Sequence, residues 1–241
     1  MSVLYRNHVQ AAVLQVVLTQ AGIPFMVHSG VKFFEQAHIK DLTAFLKVLY
    51  NPLDEIAWMR LLRMLPGIGN TTANRIFMVF REQQAVRLTQ ENETLQKLIP
   101  TKSRDDWQTM TACLRNLLRD DLTPSEMIGV VYRDFYREVM YSEFENAVMR
   151  ENDVQYLQEF SANYRSLEGF LNELSLVGSS IITDQEADDQ DQETLTLTTI
   201  HQAKGLEWNA VFVIGLTEGQ FPHQRSLDTM EQLEEERRLF Y

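Results

Sequence analysis

Cysteine is almost missing from this chain: Cys113 is the only one in 241 residues. An internal disulfide is excluded, and with it any Cys-rich zinc site; no metal-binding residues are expected. No apolar run approaches the roughly 20 residues that a membrane span needs. The opening Met1-Ser2-Val3-Leu4-Tyr5-Arg6 lacks the basic-then-apolar layout of a signal peptide. A cytoplasmic location without membrane contact is therefore expected. Also absent is a Gly-x-x-x-x-Gly-Lys-Ser/Thr loop for nucleotide phosphates, and no internal repeat is visible.

Basic residues are in deficit too, 22 Lys and Arg against 34 Asp and Glu, a net charge of −12. That balance opposes binding to a polyanion, because phosphate contacts need Lys and Arg. Its distribution alters the conclusion. Residues 1–90 carry nine basic and five acidic side chains, a net +4, and the rest of the chain carries −16. A polyanion is steered to the first third and repelled elsewhere. What the chain does have is apolar content, 44% hydrophobic and 10% aromatic, enough for a packed core rather than disorder.

Val3-Leu4-Tyr5 and Phe25-Met26-Val27 read as short strands. Between them His8 to Gln20 forms a helix with Val9, Val13, Val16 and Val17 on one face, ended by Gly22 and Pro24. A second helix runs from Gln36 to Tyr50 and buries Ile39, Leu42, Phe45, Leu46 and Leu49. Asp54 caps a third, to about Met64. Others are expected from Thr71 or Thr72 (carrying Ala73, Ile76, Phe77 and Phe80), at about Asp105–Leu118, at Thr123–Tyr141 with Pro124 in its first position, and at Asp153–Leu176. Thr183 to Glu193 holds six acids and no base, the composition of a mobile linker. Beyond it, Thr194–Thr198 alternates and Ala210–Gly215 is an apolar run, both strand signals.

Two stretches carry chemistry. Leu65-Pro66-Gly67-Ile68-Gly69-Asn70 is a tight turn between two helices and resembles a helix-hairpin-helix DNA-binding element. Its glycines admit another backbone closely, and the next helix aims free N–H groups and its positive end at the turn. A phosphate oxygen suits such a site, with Lys47, Arg60, Arg63 and Arg75 close in sequence. Gly67, Ile68, Gly69 and Thr71 are the expected DNA contacts, sequence-independent and salt-sensitive because nothing there reads base edges. The second stretch is Thr199-Ile200-His201-Gln202-Ala203-Lys204-Gly205-Leu206-Glu207-Trp208, a polar loop between strands, where open α/β sheets bind ligands.

That loop closely resembles the fifth helicase motif of the UvrD/Rep/PcrA group of superfamily-one DNA helicases. Gly215-Leu216-Thr217-Glu218-Gly219-Gln220-Phe221-Pro222-His223 resembles its continuation, and Glu234-Glu235-Glu236-Arg237-Arg238-Leu239-Phe240-Tyr241 the lead-in to the sixth motif. Leu4-Tyr5-Arg6, Gly22-Ile23-Pro24-Phe25, Phe33-Phe34, Ile39-Lys40-Asp41 and Asn51-Pro52 follow the same family in order. The similarity is weakest from Arg81 to Asp191.

The resemblance implies roles. Gly205 and Glu207 would face the nucleotide, Glu207 accepting a hydrogen bond from the sugar hydroxyl as an acceptor-only carboxylate can. His201 and His223 would lie on the single-stranded DNA side, with Phe221 and Pro222 packed beneath His223. Arg6, at a strand end suited to a phosphate contact, and His8, where the family usually has Asn, join the DNA-binding set. Lys204 is either a phosphate contact or a solvated partner for Glu207, the second being preferred. Tyr50, Trp58 and Trp107 could stack on bases, although core packing is their expected use.

The fold class implied is mainly α with a small α/β part: a helical accessory subdomain inserted into a partial RecA-like parallel-sheet domain. Residues 1–52 would start the second RecA-like domain, 53–182 form the accessory subdomain, 183–193 the acidic linker, and 194–241 the return to the sheet, cut within the sixth motif. The family's Asp-Glu pair for metal and water activation is missing, so the chain is expected to hydrolyse no ATP by itself and to hold no cofactor alone. ATP and Mg²⁺ would belong to the full-length 3′-to-5′ DNA helicase. The expected partners are a single-strand/duplex junction and the missing first RecA-like domain. Nuclease-coupled helicases share these motifs. A non-enzymatic DNA-binding or regulatory module using the hairpin, or a helical interaction scaffold, are the rivals from other classes.

Overall fold

Short β-branched and aromatic stretches at both ends of the chain meet in one sheet. The computed structural model describes residues 1–6, 8–28, 33–82, 93–118, 121–179, 194–217, 221–222 and 230–240. The acidic stretch 183–193 and His223 lie outside them. Strands β1 (Ser2–Tyr5), β2 (Phe25–Val27), β3 (Leu195–Thr199) and β4 (Val211–Val213) lie in the order β2-β3-β1-β4. Every pairing is parallel, with Ser2 opposite Thr196 and Val211, and Phe25 opposite Leu195. Helix α1 (His8–Gln20) carries the chain from β1 to β2, yet the two strands do not pair. The place between them is taken by β3, which arrives only after the long helical stretch.

The chain divides into two compact units, residues 1–36 with 173–241, and residues 37–172. In the first, Val3, Tyr5, Phe25, Val27 and Leu197 supply the sheet's share of the core, and Phe33 meets Phe34 edge to face at 5.0 Å. Helix α1 departs from its expected face. Ala11, Gln15, Val16 and Leu18 are buried, whereas Val13 is 59% and Val17 52% exposed. A helix with apolar residues nearly all round has no unique stripe, so packing on the sheet decides which side turns inward.

The second unit is all helical. Helix α2 (Ala37–Tyr50) is its central element, burying Ile39, Leu42, Phe45 and Leu46. The sequence reading grouped this helix with the sheet segment 1–52, but the compact division falls before it, at Gln36. Around it stand α3 (Glu55–Arg63), α4 (Asn70–Glu82), the short α5 (Glu93–Leu98), α6 (Arg104–Leu117), α7 (Pro124–Val131), α8 (Arg137–Glu143), α9 (Ala147–Ser161) and α10 (Leu167–Ser179), whose last residues enter the first unit. Thr123 and Glu126 form a reciprocal capping box at the start of α7. A π-helical turn, Tyr132–Tyr136, joins α7 to α8, and there Tyr136 Oη donates to Asp41 on α2 at 2.7 Å. Cys113 is buried on α6; burial first, then the nearby Asp134 carboxylate, pushes its thiol up to about 12.

One helix expected at Asp153–Leu176 is two. Asn163 Nδ2 donates back to Phe160 O at 3.0 Å and helps end α9, while Ser166 Oγ accepts from Gly169 N at 3.1 Å and caps α10. Phe160, Tyr164 and Phe170 close the corner with ring centroids 5.3 to 6.2 Å apart.

Candidate functional site

The helical unit presents the hairpin. Asp54 Oδ1 accepts from Ala57 N at 2.9 Å and fixes the start of α3. At the other end Met64 N and Leu65 N bond back to Leu61 and Leu62, and Ile68 N closes the turn on Leu65 O at 3.1 Å. Gly67 sits at φ +79°, in the left-handed region that L side chains avoid. Ala73 N then makes the first bond of α4 to Gly69 O at 2.9 Å. The amides of Asn70, Thr71 and Thr72 are those that a helix start leaves without intrahelical acceptors.

These sequence-predicted residues do not play one part. Ile68 is buried, 4% exposed, so its side chain anchors the turn from beneath. Gly69 and Thr71 are exposed, and a Cβ built on Gly69 would meet nothing within 4 Å. Gly67 already has a neighbour: Lys102, from the 3₁₀ turn Thr101–Ser103, lies across it. A Cβ there would stand 1.9 Å from Lys102 Cε. Ser103 Oγ donates to Pro66 O and holds that turn against the hairpin. Sequence reasoning missed Lys102, because nothing near it marks the contact.

Of the nearby cations, Arg60 is engaged by Asp41 at 2.6 Å. Lys47, Arg63 and Arg75 are exposed and form no ion pair with another described residue. Trp58 is a core residue, and Trp107 is half-buried rather than an open stacking platform. Phe80 lies between them, 4.6 Å from the first and 6.3 Å from the second by ring centroids. Tyr50 is exposed, and its hydroxyl donates to Glu168 at 3.3 Å.

The sheet unit gathers a second cluster at the carboxyl ends of its strands, the expected ligand edge of a parallel sheet. Arg6 follows β1, and its Nη1 lies 3.5 Å from Nδ1 of His201, in the turn after β3. Its guanidinium also grips Glu236 on helix α11 (Met230–Phe240), with Nη2 to Oε1 at 2.6 Å and Nε to both oxygens at 3.1 and 3.2 Å. Glu236 is 4% exposed. Arg6 can thus reach a phosphate only by sharing or exchanging that carboxylate. Glu236 is the second residue that sequence reasoning left without a role; in a run of three glutamates nothing singles it out.

Gln10 ties this edge together. Its Oε1 accepts from Arg6 N at 2.8 Å, and its amide lies against Gly215, after β4. A Cβ on Gly215, at φ +75°, would fall 2.3 Å from Gln10 Nε2. Gly205, at φ +85°, ends the His201 turn with nothing within 4 Å of a would-be Cβ. His201, Lys204, Gly205 and Glu207 are all exposed. Lys204 and Glu207 do not pair with each other, against the preferred reading of Lys204. His8 begins α1, Phe221 is buried, and His223 is outside the described residues.

The family model of the UvrD-like helicase C-terminal domain matches residues 1–241. The ATP-dependent DNA helicase PcrA of Bacillus subtilis (strain 168) is 30% identical over 258 residues, covering all of this chain and 34% of that protein. DNA helicase II of Escherichia coli (strain K12) is 31% identical over 256 residues, covering all of the chain and 35% of the relative. ATP-dependent DNA helicase UvrD1 of Mycobacterium tuberculosis (strain ATCC 25618 / H37Rv) is 32% identical over 270 residues, with shares of 100% and 34%. The chain spans about a third of the length of the curated relatives it matches.

Proposed function

The chain belongs to the UvrD-like helicase C-terminal domain family, and on that footing we propose that it serves an ATP-dependent 3′-to-5′ DNA helicase as its duplex-gripping and coupling portion. In this reading the sheet unit is part of the second RecA-like motor domain. The helical unit is the inserted accessory subdomain, and a first RecA-like domain elsewhere in the full-length protein completes the motor. ATP would be turned over with Mg²⁺ only in that whole, and no residue of this chain is assigned to the metal.

The exposed face of the hairpin carries the reading. Gly69 has open space over it, Thr71 is exposed, and the first amides of α4 lie beside them above a buried Ile68. Such a surface takes a phosphate oxygen by backbone donation, which suits any duplex regardless of sequence. In the sheet unit, Gly205 and Glu207 are available for a nucleotide: the glycine leaves room and the carboxylate can accept from a sugar hydroxyl. His201, one turn away and beside Arg6, would face the DNA strand together with His8 and His223. Strand and nucleotide would thereby bear on one loop, so that ligand state at one alters affinity at the other.

Binding of the chain to a single-strand/duplex junction over a salt series tests this. Gly69→Ala is the discriminating variant, since the added methyl meets nothing in the chain itself and only a closely approaching ligand would feel it. The expected result is salt-sensitive, sequence-independent binding, weakened by Gly69→Ala with little change in the thermal midpoint. Absence of junction binding at low salt would overturn the duplex-gripping role.

A further inference from the structure

The seat that Gly67 makes for Lys102 has a use if the hairpin grips a duplex, the reading on which this step rests. We propose that Lys102 supplies the cation of the hairpin's phosphate site, and that Gly67, glycine already for its positive φ, also leaves the room that Lys102 occupies.

Several observations bear on it. Lys102 Nζ would lie 2.7 Å from a Cβ on Gly67 and Cε only 1.9 Å, so the side chain runs directly over the turn and a larger residue there displaces it. The turn that carries Lys102 is fastened to the hairpin through Ser103 Oγ and Pro66 O. Lys102 is exposed and forms no ion pair with any described residue. Asp105 and Asp106, one turn later on α6, are not paired with it. Of the two cations on α3, Arg60 is held by Asp41, and Arg63 remains exposed.

An ammonium that lies over the turn leading into α4, with no ion pair to a described residue, gives a phosphate a point charge as well as directed donors. Gly67 and Gly69 then have different duties. Gly69 leaves room for the ligand, and Gly67 leaves room for the lysine. The charge comes from a segment distant in sequence, so the hairpin string alone is an incomplete site.

Junction binding across a salt series, with Lys102→Gln, Lys102→Arg, Gly67→Ala and the double variant Gly67→Ala/Lys102→Gln, tests the assignment. Lys102→Gln should weaken binding about fivefold near physiological salt and reduce the slope of log affinity against log salt by about one. Lys102→Arg should keep most of both. Gly67→Ala should lose a similar amount, and the double variant should be no worse than the poorer single one, since both remove the same charge from the same place. Lys102→Gln, at an exposed position, leaves the fold intact and keeps the test readable if Gly67→Ala is destabilised. Wild-type affinity and slope in Lys102→Gln would overturn this inference while leaving the duplex reading standing. No junction binding by the unsubstituted chain would overturn both.

Discussion

Arg6 and Glu236 stand far apart in sequence and are joined through three hydrogen bonds, the shortest 2.6 Å, with the carboxylate 4% exposed. A charge buried that deeply is tolerable only while paired. Removing this arginine takes away three of the carboxylate's hydrogen bonds and its opposite charge, which costs about 3 kcal/mol when, as here, the arginine itself is partly open to water. Arg6→Ala should therefore lower the stability of the sheet unit by about that amount, read as a shift in the urea midpoint, and Arg6→Ala/Glu236→Gln should recover much of it. Equal destabilisation in both variants would show that the arginine matters by packing and not by charge. The pair also shows the limit of reading one residue at a time. The strand-end position of Arg6 was legible from Leu4-Tyr5-Arg6, but its engagement by Glu236 was not. Gly67 is similar: the turn and its glycine were plain in the sequence, whereas the lysine lying over it was not. Contacts of long sequence separation leave no local trace in composition or period.

Helix termini and corners follow local rules, and most were readable. Asp54, Thr123 with Pro124, and the turn at Gly67 lie where caps and breakers put them. The failures came where periodicity gave no unique answer, as in α1, or where a capping serine and an asparagine divided one apolar period into α9 and α10. The π turn between α7 and α8 falls within the single helix expected at Thr123–Tyr141, and no residue there marks it in the sequence. Near that turn Glu151 on α9 accepts from Tyr132 Oη at 2.5 Å and from Tyr141 Oη at 3.1 Å. Hydrogen bonding from Tyr132, then from Tyr141, and the charge of Arg137 hold the Glu151 carboxyl below its ordinary 4.5 against the opposing effect of burial. The unfolded chain then binds this proton more readily than the folded one. The contribution to stability is present above about pH 4.5 and is lost as pH falls through the lower folded value. Glu151→Gln should accordingly flatten the acid limb of the thermal midpoint against pH, lowering the midpoint more near pH 7, where the ionised carboxylate contributes, than at the limb's foot, where it no longer does. An unaltered acid limb would assign that limb to other carboxylates.

At the scale of the whole molecule, the two units differ in how they depend on chain order. The helical unit is continuous, residues 37–172, with its own core around α2. The sheet unit is assembled from both ends of the chain, and its middle strand, β3, comes from the far end. Sequence patterning located all four strands, and the order of the elements implied that the two ends share a sheet, which the resemblance to a known family then identified as part of a RecA-like domain; composition alone could not. The consequence is an asymmetry under truncation. Residues 37–172 are of ordinary domain size and should fold alone, with a helical spectrum and one cooperative melt. Removing residues 194–241 instead takes away β3 and β4 together, leaving β1 and β2 with no strand to pair with. Two unpaired strands and one helix cannot bury enough apolar surface to offset the ordering of their backbone. Such a truncated chain should show the same melt as residues 37–172, with the N-terminal segment open to protease. If residues 1–36 stayed protected in it, the first strands would be held by something other than the sheet. If residues 37–172 failed to melt cooperatively, the two units would be one folding entity despite their separate cores.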